Sequence, residues 1–221
     1  MLSKFILALC LPAVFCASSA LAAAPMSAQE CTFEWQIRAR GIAVGTSTDV
    51  VRWGTSSGVS VVSHFVPNAV AAVLGAPKME RRWASSSLGV QREETKTKGK
   101  MEHERVQWTT KTGTGLLWQT VGSGEPQEHP APTGAVRFID STVFPYLELV
   151  GLPLESGSAL WVLNRQAPYP AAARRTQDTL KYTADNKRGT VWISTGKPTK
   201  LAFTEGRDSF EATVVSTQCK P

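Results

Sequence analysis

The chain has 221 residues, 42% of them hydrophobic and 19% charged, with a formal net charge of +6. That composition is too apolar for an intrinsically disordered polymer, and the length suits one all-β domain better than two small ones. The basic excess suits anionic partners such as lipid headgroups or cell-envelope polymers, and equally a plain solvated surface; with no basic aromatic motif, nucleic acid is not expected as a partner.

The N-terminus reads as an export signal. Lys4 supplies a positive charge, Phe5 to Phe15 (FILALCLPAVF) form a short apolar core, and Ala20-Leu21-Ala22 supplies a small-x-small exit. The apolar run is shorter than the about 20 residues a spanning helix needs, and Pro12 breaks it. Cleavage after Ala22 divides the chain into a signal peptide, 1–22, and a single β-rich domain, 23–221. Cys16 follows bulky Phe15, a poor neighbour for lipid modification, so the expected product is a soluble periplasmic protein that does not span a membrane. Of four cysteines, Cys10 and Cys16 leave with the signal; Cys31 and Cys219 remain. An even count in an exported chain predicts a disulfide between them, pinning the first strand to the last.

After the signal, Phe33, Trp35, Ile37 and Ala39 alternate with polar residues, the period of a strand with one buried face. The apolar positions change parity at Ile42 and Val44, which predicts a bulge or bend at Gly41. Strands follow at Thr46 to Trp53 and Val59 to Val66. Pro67 to Leu74 (PNAVAAVL) reads as a short helix stopped by Gly75 and Pro77. Glu80 to Ser87, Gly89 to Thr97, a polar strand through Trp108, and Thr114 to Val121 continue the series, with a hairpin tip at Lys98-Gly99-Lys100. Gly122 to Gly134 reads as a Pro/Gly-rich loop. Asp140 or Ser141 caps a second short helix, Thr142 to Leu149, before a strand starting at Trp161. Asn164 to Arg175 reads as a mobile connection. Asp178 to Thr183, Gly189 to Ser194, Thr199 to Thr204 and Ser209 to Ser216 form a closing meander. The fold class is therefore all-β: a single curved antiparallel sheet or half-open barrel with one or two short helices.

Three segments resemble one family. Phe33 to Gly45 (FEWQIRARGIAVG) is similar to the opening strand and Gly-Ile-x-x-Gly element of the exported domain of unknown function 3108 family (DUF3108). Thr190-Val191-Trp192-Ile193-Ser194, with Pro198 and a strand after it, resembles that family's closing hairpin, and Phe138-Ile139-Asp140-Ser141 fits its middle. The resemblance runs from Phe33 to Thr217. It implies a β-rich envelope protein of Gram-negative bacteria, with no established activity and no catalytic residues to carry over. The family's sheet is similar in outline to the curved half-barrels of lipoprotein and lipid carriers, an analogy of fold alone.

The residues offer little chemistry. His64, His103 and His129 lie in a strand, a polar hairpin and a loop with no close-spaced ligand pair, so no metal site is expected. There is no Gly-x-Ser-x-Gly, Ser85-Ser86-Ser87 has no nearby base, and Gly113-x-Gly115 lacks the helix and Lys of a phosphate loop. No catalytic residue and no cofactor are assigned. Arg81-Arg82, Arg174-Arg175 and Lys96, Lys98 and Lys100 are candidate anion patches or simply solvated charge. Trp53, Trp83, Trp108, Trp118, Trp161 and Trp192 either fill a core or line an apolar cavity. The expected function is binding of an apolar or amphipathic ligand, in the manner of a lipid or lipoprotein carrier, or of a protein partner in the envelope. The alternative is an envelope hydrolase acting on cell-wall or lipid ester bonds, which requires a Ser, a His and an acid in one cleft. The ligand-binding residues and the oligomeric state are left open.

Overall fold

The computed structural model describes residues 29–53, 58–86, 89–111, 115–120, 123–130, 136–140, 159–163, 169–185 and 187–220. The expected signal segment and the expected helix Thr142 to Leu149 lie outside them. Fifteen strands and one short helix follow in chain order: β1 (Gln29–Ala39), β2 (Ile42–Trp53), β3 (Val59–Pro67), α1 (Ala69–Val73), β4 (Lys78–Ser86), β5 (Gly89–Lys98), β6 (Lys100–Lys111), β7 (Gly115–Thr120), β8 (Ser123–Pro130), β9 (Val136–Asp140), β10 (Ala159–Leu163), β11 (Tyr169–Arg175), β12 (Thr179–Ala184), β13 (Lys187–Ser194), β14 (Lys197–Glu205) and β15 (Asp208–Lys220).

All fifteen strands belong to one sheet, in the order β8-β7-β6-β5-β4-β3-β2-β1-β15-β14-β13-β12-β11-β10-β9. Each half of the chain is a meander of neighbours, and the halves meet at the β1–β15 pair. Every pairing is antiparallel except β9–β10, which is parallel. The sheet curls until β9 lies close to β4 and β5, without a ladder between them among the described residues. It is an open, barrel-like sheet, as the alternating sequence implied.

Alternation places one face inside. In β1, Cys31, Phe33, Trp35 and Ile37 are buried while Glu34 and Gln36 between them are exposed. The same face of the far half supplies Leu160, Val162, Leu180, Tyr182, Val191, Ile193, Leu201 and Phe203, and all of these form one core with Val51, Val61 and Trp83 of the near half. Side chains from distant strands meet only on the concave side of a curled sheet, so this is the inner face.

Turn chemistry sets the register. Arg40 (φ 49°) and Gly41 (φ 80°) turn β1 into β2, and Thr195 (φ 48°) and Gly196 (φ 78°) turn β13 into β14; two successive positive φ values make the tight hairpin turn that matches strand twist. The parity change expected at Gly41 thus has two causes. The chain reverses at 40–41, and a bulge lets β2 skip Val44 between its partners Gly45 and Ala43. Ile42 is consequently exposed rather than inward. A second bulge makes β15 skip Val215 opposite Glu34 and Trp35, and that extra residue points out to solvent. Gly45 is required by close approach: a Cβ there would stand 2.3 Å from the Val66 carbonyl oxygen.

Two expectations from composition fail. Ser123–Pro130, inside the expected loop, is strand β8 pairing with β7. Tyr169–Arg175, inside the expected mobile connection, is strand β11, bonded on both sides to β10 and β12. Proline lacks an N–H, and Pro170 is tolerated because it pairs only with Trp161 of β10, the ladder with β12 beginning at Ala172. The expected helix at Pro67 to Leu74 forms as α1. Asn68 caps it: its Oδ1 accepts from Ala71 N at 2.9 Å, while its Nδ2 donates to Ala43 O at 2.7 Å and its backbone N to Val44 O at 2.9 Å, tying the helix to β2.

Cys31 and Cys219 face each other across the β1–β15 pair and are joined by a disulfide spanning 188 positions. By loop entropy such a closure contributes up to about 5 kcal/mol. Replacing both with serine should lower unfolding stability by about 2–5 kcal/mol, read as a shift in urea midpoint, and added reductant should then leave the variant unchanged.

Candidate functional site

The inner face changes character around its circumference. From β10 to β15 the buried residues are apolar, whereas β2 to β5 carry Ser47, Asp49, Ser63, Arg81 and Glu94, all buried. Register explains how sequence-distant polar groups meet: Asp49 is opposite Ser63, Ser63 opposite Arg81, and Arg81 opposite Glu94, so one row crosses four strands. Phe33 continues the row on β1, opposite Asp49. In the next row Trp35 stands opposite Ser47.

The row contains two connected groups. Ser47 Oγ donates to Asp49 Oδ1 at 2.9 Å and lies 3.2 Å from Ser63 Oγ. Arg81 donates through both Nε (2.6 Å) and Nη2 to Glu94 Oε2, and Lys96 Nζ sits 2.7 Å from Glu94 Oε1. Burial would push the Glu94 carboxyl up, but the Arg81 charge and the Lys96 bond outweigh it and hold the group at about 2. Asp49 is the reverse case. It is wholly buried, and burial raises its carboxyl to about 6 against the opposing pull of Ser63, Ser47, Arg81 and the Trp35 indole. Charge near Asp49 is therefore only partly compensated, as the low dielectric of a core demands.

Three polar atoms in this wall have no hydrogen-bond partner among the described residues: Asp49 Oδ2, Trp53 Nε1 and Trp83 Nε1. An unpaired buried group costs roughly 1–3 kcal/mol. Phe33 packs edge-on against Trp53 with ring centres 6.3 Å apart and lies 6.1 Å from Trp35. The wall thus combines flat aromatic surface with an acid that changes charge near neutrality and two indole donors.

Of the candidate residues named from sequence, the structure brings Arg81, Trp53, Trp83 and Lys96 to this wall or its edge. Arg82 points outward and pairs with Glu80, and Arg174 and Arg175 are exposed on β11. Trp192 lies on the outer face, 38% exposed, beneath Lys200 Nζ at 5.3 Å. The side chains of Trp108, Trp118, Trp161, His129, Asp140 and Ser85 are outside the description, as are residues Ser87, Ser141 and Gly113. Asp140 is the last residue of β9, and the helix Thr142 to Leu149 that it or Ser141 is expected to cap lies outside the described residues.

His64 is exposed, 3.9 Å from Glu80. His103 bonds Thr95 Oγ1 through Nδ1 at 3.1 Å and approaches Glu93 Oε1 at 3.4 Å. That hydroxyl–imidazole–carboxylate order has the outline of a catalytic triad. It lies on the exposed surface of β5 and β6, not in a cleft of the inner face, and β6 is bonded to β7 only from Val106 onward. No histidine reaches Ser47 or Ser63 among the described residues, and none of these residues forms a His/Cys/Asp/Glu group able to hold a metal.

Sequence reasoning passed over Asp49, Ser47, Ser63 and Glu94. The available signal was an acid at an inward parity position of β2, between Ser47 and Val51.

No family model matches the chain and no curated protein does. Among solved structures it is similar to the crystal structure of a β-barrel-like protein of domain of unknown function DUF1849 from Brucella abortus, with a TM-score of 0.57 and 10% sequence identity, covering 89% of this chain and 99% of that one. At that identity the likeness is one of fold. It overturns the resemblance to the DUF3108 family: short strand–glycine patterns such as FEWQIRARGIAVG are produced by any tight hairpin with a bulge, and so do not discriminate among curved sheets.

The Arg81–Glu94 pair gives a direct test of the wall's construction. Arg81→Met alone should cost up to about 3–5 kcal/mol, because it leaves the buried Glu94 carboxylate with the half-exposed Lys96 as its one cation among the described residues, while Arg81→Met with Glu94→Leu should recover most of that loss in chemical denaturation.

Proposed function

We propose that the chain is an exported envelope protein that binds an amphipathic ligand on its concave face, with no catalytic step. The observation that carries this reading is the polar row set into an aromatic wall, with Asp49 Oδ2 and the Trp53 and Trp83 indole N–H groups unpartnered among the described residues. A purely structural core gains nothing from such atoms, whereas a ligand with hydroxyl or carbonyl oxygens supplies partners for all three while its apolar part lies along Phe33, Trp35 and the far apolar wall. Export is supported by the basic start, short apolar core and Ala20-Leu21-Ala22 exit, and by a disulfide that persists in oxidising compartments. No helix among the described residues is long and apolar enough to cross a membrane.

The hydrolase alternative finds a Ser–Asp contact at Ser47 and Asp49 but no base beside it, and a buried serine without a base is a poor nucleophile.

Native mass spectrometry of protein purified from the envelope of its own cell tests the reading. Expected is a retained amphiphile of one chemical class, lost from the Asp49→Ala and Trp53→Phe variants. Protein that repeatedly carries no ligand, or carries it unchanged in both variants, would sink it.

Asp49 adds a pH signature. Its folded-state value, about 6, lies above the ordinary 3.8, so its protonated form favours the fold below that ordinary value and the contribution is lost as pH rises through about 6. Between about pH 4 and about pH 7 the loss is of order 3 kcal/mol. Wild type should therefore lose stability relative to Asp49→Asn across that interval in parallel urea titrations; parallel curves would show that Asp49 is not shifted.

A further inference from the structure

One end of the curled sheet gathers the β1–β2, β5–β6 and β14–β15 turns together with α1, because β1, β3, β5 and β14 all run toward it. Eight large hydrophobic residues are exposed among the described residues, and six of them are here: Ile42, Val66, Val70, Val73, Leu74 and Met101. Val73 and Leu74, at the tip of α1, are 87% and 82% exposed. The helix buries only Ala71, so its apolar sequence is not explained by packing.

Cations flank these residues. Lys78 opens the strand after α1, and Lys98 and Lys100 straddle the β5–β6 turn; all three are exposed. Lys98 runs against α1's exit, where a Cβ at Gly75 would stand 2.5 Å from its Nζ, and Gly75 has φ +90°. Arg40, on the next turn, is paired with Asp208. The three lysines carry no carboxylate contact among the described residues. Glu102 lies two residues above Lys100 on β6, while the acids Asp185, in the β12–β13 turn, and Glu205, at the end of β14, stand on the other side of the β1–β15 pair.

Apolar side chains projecting at a tip between cations are the arrangement that seats a protein on an anionic bilayer: the apolar groups enter the headgroup–acyl boundary and the lysines stay at the phosphates. We propose that this end, with Val70, Val73 and Leu74 as the inserting residues and Lys78, Lys98 and Lys100 as the headgroup contacts, docks the protein on an anionic lipid surface. A cleft of about 210 Å³ between α1, Ile42, Val44 and Phe210 opens at the same place, leaving α1 room to shift as it inserts. A protein partner or a second copy would meet the apolar residues equally well, but neither would account for three neighbouring lysines, Lys78, Lys98 and Lys100, without a carboxylate contact among the described residues.

Flotation with vesicles of phosphatidylglycerol and, separately, of phosphatidylcholine decides the matter, using protein purified from the cell envelope so that its N-terminus is the native one. Expected is partition into phosphatidylglycerol vesicles that falls with added salt, falls at least about tenfold in Val73→Glu/Leu74→Glu, and falls about fivefold for each lysine among Lys78, Lys98 and Lys100 changed to alanine. The two glutamates replace side chains already in water, and an unchanged urea midpoint confirms folding. Equal binding to both lipids, no binding to either, or binding that survives the double variant overturns the proposal; so does a dimer in sedimentation that only the double variant dissolves. The Asp49→Ala and Trp53→Phe variants should float like wild type, which separates this surface from the concave-face ligand.

Discussion

The whole architecture depends on the pairing of β1 with β15. Elsewhere every bonded pair joins strands consecutive in sequence, all but the parallel β9–β10 pair antiparallel, so each half can zip outward from local turns. Local hairpins form at small entropic cost, while a contact between positions 188 apart must overcome the closure of nearly the entire chain. Without that pair the molecule is two open meanders, each with a long exposed strand edge, the kind of edge that invites aggregation. The disulfide sits in this pair for a physical reason: it removes the entropy of the one contact that local structure does not supply.

The same pair produces the wall proposed for ligand. Phe33 and Trp35 project inward from β1, and β2, β3, β4 and β5 add Asp49, Ser63, Arg81 and Glu94 in register with them. On the far side of the pair the residues are aliphatic and aromatic without charge. One curled sheet therefore presents two chemistries across a single interior, and the boundary between them is the pair itself. Placing a carboxylate there is costly, and Asp49 answers by holding its proton almost to neutral pH.

Much of the fold was legible because it is written in alternation. Phe33-Trp35-Ile37 and the closing strands up to Ser209–Ser216 carry a period of two that only a half-buried sheet satisfies, and the short apolar run Pro67 to Leu74 before Gly75 and Pro77 announced α1. Strands β8 and β11 were hidden because Pro and Gly say what a backbone position cannot donate, and nothing about whether a neighbour bonds its carbonyl. The site was less legible. Arg81 is followed by Arg82, and composition reads the two as one basic patch; parity separates them, one buried against Glu94 and the other in water with Glu80. Asp49 looked like a polar strand residue because its partners, Ser63 and Arg81, come from other strands, and register is a property of the folded sheet.

The disulfide has a further consequence that concerns cutting rather than folding. Every turn and connection between Cys31 and Cys219 lies inside the ring it closes. A protease that cleaves one loop there yields two pieces that stay covalently attached, each still bonded along its ladders to the other. Such a chain can be nicked without being dismantled, and its lifetime is set by the second cut, or by a reductant, rather than by the first.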